Sequence, residues 1–139
     1  MRYLGLDLGS KTLGVATSDY TNTIATSVKT IFFEEDNYSS LIEPIRDLIK
    51  EYDISKIVLG LPKNMNNTLG QRAEISLDFK KMLEDNFNIE VILEDERLTT
   101  VISNNIMIKA DISRKKRKKK VDSIAAQLIL QSYLDRKED

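Results

Sequence analysis

The 139-residue chain contains no cysteine and no histidine. The missing cysteines exclude a disulfide framework, and the two absences together exclude a Cys/His zinc site. They also exclude any catalytic triad that needs an imidazole.

Long apolar runs are missing as well. No stretch approaches the roughly 20 apolar residues of a membrane-spanning helix, and the N-terminal MRYLGLDLG turns polar too early for a secretion signal. We therefore expect a cytoplasmic protein without a membrane contact, which the absence of cysteine also fits. The length predicts one domain over residues 1–139, with enough chain to bury a core.

Positive charge is concentrated in one block. The net charge is −1, yet residues 114–120 read RKKRKKK and hold seven of the 21 basic residues. The other 14 basic residues stand against 22 acidic ones, which leaves the rest of the chain at −8. Such a block on an acidic body indicates a localised contact with a polyanion. Its ordinary interpretation is a solvated loop, and we predict a loop over residues 111–120.

Two hydrophobic periods divide the chain. Alternation predicts strands over 3–9, 12–19 and 25–33, and short apolar runs predict strands over 54–61 and 89–93. Helical spacing predicts helices over 37–52, 71–87 and 121–134, with another from Thr99 or Thr100 to about residue 109. Pro44 predicts a late start or a kink in the first helix. With parallel crossovers, this order predicts a three-layer α/β/α domain around a mixed five-stranded sheet.

Acidic residues stand at three places where α/β proteins bind ligands. Asp7 is expected in an interior strand, with glycines as its neighbours on the same face and open space above its carboxylate. The sequence EDER at 94–97 follows the last strand, at the sheet end where ligands gather. Asp122 begins the last helix, and the alanines after it would allow this helix to approach the sheet closely.

Each acid also has an ordinary structural interpretation. Asp7 could cap a turn, Asp95 could cap the following helix, and Asp122 could complement a helix dipole. Together, however, three carboxylates without His or Cys are the oxygen ligands that Mg²⁺ or Mn²⁺ prefers. Two such ions can flank a phosphodiester, and the basic run would supply affinity for phosphates.

Four segments give the chain a resemblance to the YqgF family, also called RuvX, of bacterial ribonuclease H-like nucleases. They read DLGSKTLGVATSD from position 7, IVLGLP from 57, DERLTT from 95 and SRKKRKKKVDSIAAQLILQSYL from 113. The resemblance implies a ribonuclease H-like fold and an acidic triad at Asp7, Glu96 and Asp122 that binds divalent cations. It points to Glu96 as the ligand, whereas strand alternation near a strand end does not choose between Asp95 and Glu96.

The resemblance also implies the substrate. Family members are described as Holliday junction resolvases, by likeness to RuvC, and as nucleases that mature the 5′ end of pre-16S ribosomal RNA. We rank the pre-rRNA role first and branched DNA second.

One departure from the family concerns phosphate binding, because Thr12 replaces an arginine of the family pattern DxGxKRIGVA. The expected phosphate-binding residues are Lys11, Arg97, Arg114, Lys115, Lys116, Arg117, Lys118, Lys119 and Lys120.

Two other hypotheses stay open at this point. The chain could bind nucleic acid or a ribosome precursor without cleaving it, which the basic run supports equally well. The segment at 7–12 also looks like the first phosphate loop of the actin and sugar-kinase superfamily, although that superfamily clamps its nucleotide between two such domains. We expect a monomer or a weak dimer.

Overall fold

Five strands form one mixed sheet between two layers of helix. The computed structural model describes residues 1–61, 70–95 and 114–136. The sheet order is β3-β2-β1-β4-β5, in which β1, β2 and β3 are antiparallel and β4 and β5 run parallel to β1. The strands are β1 (Arg2–Leu8), β2 (Thr12–Ser18), β3 (Ala25–Phe32), β4 (Ile54–Leu61) and β5 (Glu90–Asp95).

In the part of the chain that the structure describes, three α-helices pack on the sheet. They are α1 (Ile42–Tyr52), which follows a 3-10 turn at Tyr38–Leu41, α2 (Gln71–Phe87) and α3 (Arg114–Arg136). Pro44 lies in the first turn of α1, where a missing backbone N–H breaks no helical hydrogen bond. The predicted late start of this helix is therefore confirmed. None of the helices in the described part of the chain is long and apolar enough to cross a membrane.

The large core lies between the sheet and the layer of α1 and α2. Alternation along β1 directs Leu4, Leu6 and Leu8 to this side, because successive side chains of a strand point to opposite faces. The helices contribute their buried apolar residues, among them Ile45, Leu48, Phe79 and Leu83. This burial is the main apolar stabilisation of the fold.

Among the described helices, α3 packs on the opposite face. Its core is smaller and consists of Ala16, Ala25, Val58, Ala126, Ile129, Leu130 and Leu134. Helices therefore lie on both sides of a mixed five-stranded sheet, and the predicted three-layer α/β/α architecture is confirmed.

The start of α3 differs from the prediction. The loop expected over 111–120 is wrong from Arg114 onward, because the helix begins there and not at residue 121. Lysine and arginine are good helix formers, and the run contains no glycine or proline that would end a helix. The helix predicted from Thr99 or Thr100 lies outside the described residues.

Candidate active site

Asp7 lies near the carboxyl end of β1, the central strand of the sheet. Its neighbour across the antiparallel pair is Gly14 on β2. Alternation places Asp7 on the same face as Gly5, which is the face that α3 covers. The predicted interior position is confirmed, but the open space expected on this face does not extend to Gly5. A Cβ added to Gly5 would lie 2.9 Å from the Ala126 carbonyl oxygen, so α3 fills the space there.

The path of α3 brings the position of Asp122 to the level of Asp7. The rings of Tyr3 and Tyr133 lie 6.0 Å apart, whereas Gly5 meets Ala126, so α3 runs antiparallel to β1. Asp122 precedes Ala126 by one turn, about 6 Å along the helix. Asp7 follows Gly5 by about 7 Å along the strand. The displacement from Ala126 to Asp122 and that from Gly5 to Asp7 have the same direction and nearly the same length, so the backbone at position 122 lies at about the level of Asp7. The Asp122 side chain itself lies outside the described part of the structure.

A second carboxylate faces Asp7 from β5. Leu6 pairs with Leu59, and continuing this parallel register by one residue brings Asp7 level with Gly60, which pairs with Glu94. Glu94 is only 8% exposed. The two acids are thus two strands apart, roughly 10 Å between Cα atoms, and the residue between them has no side chain. The sequence placed Glu94 in the acidic cluster but did not single it out.

The alternation of β5 separates the acids of that cluster. Val91 and Leu93 pack in the large core, so Glu94 lies on the opposite face, which is the face of Asp7. Asp95 has the same parity as Leu93. Position 96 shares the parity of Glu94, but Glu96 and Arg97 lie outside the described residues.

An exposed lysine lies at the same end of the sheet. Lys11 is exposed in the hairpin between β1 and β2, which Gly9 closes by donating its N–H to the Thr12 carbonyl at 2.7 Å. The Thr12 side chain packs on Gly9, where an added Cβ would lie 2.9 Å from its Oγ1. Lys11 thus lies in a closed hairpin beyond the end of β1, and its phosphate contact stays a prediction.

The basic run at 114–120 extends beyond the sheet. Arg114 precedes Ala126 by about 18 Å along the helix axis, whereas Leu8 follows Gly5 by about 10 Å along the strand. The first turns of α3 therefore project past the end of β1 that carries Asp7. Their side chains lie outside the described part of the structure, so the seven predicted phosphate contacts stay predictions.

Arg72 also reaches this end of the sheet, although no pattern in the sequence singles it out. Its guanidinium donates to the Leu8 carbonyl, with 2.9 Å between Nη2 and the oxygen. The two residues are 64 positions apart in the chain. A single arginine near the start of a predicted helix has no periodicity or spacing that indicates such a contact, so only the fold shows it.

Comparisons with known proteins show the family and the fold of this chain. The family model of RuvX, described as Holliday junction resolvase, matches residues 1–136. The chain belongs to the RuvX family. A Geobacillus sp. protein is 51% identical over 138 residues, which are 99% of this chain and 100% of the relative. A Bacillus subtilis protein is 53% identical over 135 residues, 97% of this chain and 98% of the relative. Both carry the name "Putative pre-16S rRNA nuclease".

Solved structures with the same fold are more distant in sequence. T. thermophilus RuvC in complex with a Holliday junction substrate has a TM-score of 0.61 at 10% identity, covering 99% of this chain and 98% of that chain. The fowlpox virus Holliday junction resolvase has a TM-score of 0.56 at 21% identity, covering 97% and 99%. These likenesses confirm the predicted ribonuclease H-like fold.

The donor atoms of this RuvX chain suit a hard divalent cation. Asp7 and Glu94 offer only carboxylate oxygens, and the glycine between them leaves their shared face without an intervening side chain. Oxygen donors of this kind fit Mg²⁺ or Mn²⁺. Within residues 1–61, 70–95 and 114–136, no three acidic side chains come together as a complete ion site. The predicted triad depends on Glu96 and the Asp122 side chain, which lie outside that part of the structure.

Proposed function

We propose that this chain is a divalent-cation-dependent nuclease that acts on the 5′ end of pre-16S ribosomal RNA. The observation that carries the proposal is the meeting of acids and bases at one end of the sheet. Asp7, the position of Asp122 and the acidic end of β5 converge there, and the basic start of α3 projects past them. A phosphodiester placed at this end would meet carboxylates below and cations above.

In this proposal Asp7, Glu96 and Asp122 hold Mg²⁺ or Mn²⁺, and Lys11, Arg97 and residues 114–120 hold substrate phosphates. The bound cations would polarise the phosphate and lower the pKa of the attacking water. The chain itself orients the phosphodiester and fixes the distance between the carboxylates. Asp7 is held in place because it lies on the central strand of the sheet. The α3 backbone packs on Gly5, which holds α3 in position next to this strand.

RNA is the preferred substrate because relatives at 51% and 53% identity are named for pre-16S rRNA. Branched DNA is the second candidate because the family description names Holliday junctions. We propose further that residues 1–139 act as one domain in the cytoplasm, as a monomer or a weak dimer.

Cleavage tests the proposal directly. Purified protein is incubated with an RNA that carries the precursor 5′ extension of 16S rRNA, with a four-way DNA junction and with duplex DNA. Each reaction contains Mg²⁺, Mn²⁺ or EDTA. We expect metal-dependent cleavage of the RNA, and a loss of at least about 100-fold in Asp7→Asn, since one carboxylate ligand is removed. Asp78→Asn is the matched control, because Asp78 is an exposed acid on α2.

A second pair of variants separates binding from cleavage. Replacing Lys115, Lys116, Lys118 and Lys119 by glutamine should weaken binding and flatten its dependence on salt, by roughly 0.7–0.9 in logarithmic slope for each lost phosphate contact. Asp122→Asn should abolish cleavage and leave binding intact. Binding without cleavage in every metal, unaltered by Asp7→Asn, would instead show a non-catalytic binding module.

A further inference from the structure

Arg72 is tethered to the peptide beside the candidate catalytic acid. It is the second residue of α2, and its guanidinium bonds to the carbonyl of Leu8, the residue that follows Asp7. A guanidinium has five N–H donors in a rigid plane. The carbonyl uses one of them, so the bond fixes the group while leaving donors for a second partner. The Arg72 side chain is otherwise exposed.

Arg72 differs from Arg2 and Arg46 in the kind of group that its guanidinium contacts. Arg46 pairs with Glu43 on the same helix, and the Arg2 guanidinium lies over the Tyr20 ring at 3.9 Å. Within residues 1–61, 70–95 and 114–136, no carboxylate lies within ion-pair distance of Arg72. A carbonyl oxygen offers only a partial negative charge, so among the described residues the charge of Arg72 is not neutralised by a carboxylate.

The layers of the fold place Arg72 and the basic run on opposite sides of Asp7. Arg72 comes from α2, which packs on the large core, whereas residues 114–120 belong to α3 on the other face. Both lie at the end of β1. The amino terminus of α2, preceded by Gly70, adds the positive end of a 17-residue helix dipole beside Arg72. A polyanion that crosses this end from one layer to the other would pass over Asp7.

We propose that Arg72 binds the substrate phosphate next to the one cleaved at Asp7, on the side opposite to residues 114–120. The bound nucleic acid then crosses the end of the sheet between the two helical layers. Arginine suits this position because its planar donors can hold a phosphate oxygen while one N–H keeps the Leu8 carbonyl. The inference rests on the proposed nuclease function.

Binding measurements on an inactive background test this role. In Asp7→Asn protein with EDTA, the dissociation constant of a labelled RNA hairpin is measured against salt concentration, with and without Arg72→Gln. Glutamine removes the charge and shortens the side chain by two bonds, so the melting temperature is measured alongside to report the loss of the Leu8 contact. We expect about tenfold weaker binding at low salt, as for one charged hydrogen bond, and a salt slope smaller by about one. Arg46→Gln, on α1, is the matched control and should change neither quantity.

Arg72→Lys separates charge from geometry. Lysine keeps the charge but lacks the planar donors, so the salt slope should match that of Arg72, with affinity between those of Arg72 and the glutamine variant. If Arg72→Gln lowers only the melting temperature and leaves both affinity and slope unchanged, Arg72 is a structural tether and the proposal is overturned. A lost slope in Arg72→Lys would overturn it equally. Because this experiment measures binding and not cleavage, its result can be interpreted even if the protein is not a nuclease.

Discussion

The face of the sheet under α1 and α2 is built from large apolar side chains, whereas the face under α3 contains mainly small ones. Leu4, Leu6 and Leu8 point to the first face; Gly5 and Asp7 point to the second. Large side chains keep a helix at a distance and stabilise the fold by their burial. Small ones let a helix approach until its backbone touches the sheet, as Ala126 does at Gly5.

The difference shows how one strand serves stability and chemistry together. Every second residue of β1 contributes to the large core, which holds the strand in place. The residues between them leave room for α3 and for a carboxylate at the level of Asp122. Substitutions on the first face should therefore change stability, and those on the second should change the site before they change the fold.

The largest effect on stability should come from the first face. Phe79→Ala removes a side chain that is almost fully buried in the large core, and we expect a loss of about 3–5 kcal/mol in the free energy of unfolding. Urea denaturation followed by circular dichroism measures it. The control is Leu77→Ala, which removes an exposed side chain from the same helix. Equal losses in the two variants would contradict the assigned core.

On the second face, Gly5→Ala should cost less stability but more activity. The added Cβ would lie 2.8 Å from the Leu130 Cβ, so α3 must shift, at a cost of about 1–3 kcal/mol. The shift also moves Asp122 away from Asp7, and cleavage should fall further than the stability loss explains. Activity is measured well below the melting temperature. An unchanged cleavage rate in a destabilised variant would show that the close approach does not position the site.

A comparable loss of stability, without a direct effect on the site, should follow from removing the polar contacts between α3 and β3. Gln131 accepts from the Ala25 N–H at 2.8 Å and donates to the Thr23 carbonyl at 2.9 Å. Gln131→Ala leaves the N–H of the buried Ala25 without this partner, which should cost about 1–3 kcal/mol. The exposed Ser132→Ala on the same helix is the control. A loss no larger than that of the control would mean that water replaces these bonds.

The smallest effect concerns Asp19, in the turn between β2 and β3 and away from both cores. Hydrogen bonds keep the pKa of the Asp19 carboxyl below the ordinary value of 3.8; the largest contribution comes from the Thr23 backbone N–H and the next from the Thr21 hydroxyl. A lowered pKa in the folded state stabilises the protein above pH 3.8, and this contribution is lost as the pH falls through the folded value. Unfolding titrations should therefore show Asp19→Asn less stable than the natural chain at neutral pH, with the gap closing in acid. A gap independent of pH would contradict the assignment.

Much of the fold follows from local patterns. The strands predicted from alternation and the helix predicted over 71–87 correspond to the observed β1, β2 and α2. Burial produces both patterns, since both faces of the sheet and one face of the helix are covered. The start of α3 was missed for a physical reason. A run of like charges repels itself and suggests a solvated loop, yet its residues have high helix propensity and continue an apolar helix.

The candidate site was predictable only where its residues stand in recognisable segments. Asp7 could be placed on a central strand, and the alanines after Asp122 correctly indicated close packing on the sheet. The contact between Arg72 and Leu8 was not predictable, because it depends on where α2 begins relative to the end of β1. Glu94 needed the strand register, since it shares its segment with two other acids.

The glutamines of α3 have a consequence for association between chains. β3 forms an edge of the sheet, and an edge strand exposes backbone groups with which a strand of another molecule can pair. At Ala25, Gln131 bonds to the N–H and Gln127 to the carbonyl, at 2.8 and 3.2 Å. The start of this edge is thus closed by the chain's own side chains. A copy of the protein that adds a strand there must first displace two amides, which protects this part of the sheet against edge-to-edge aggregation.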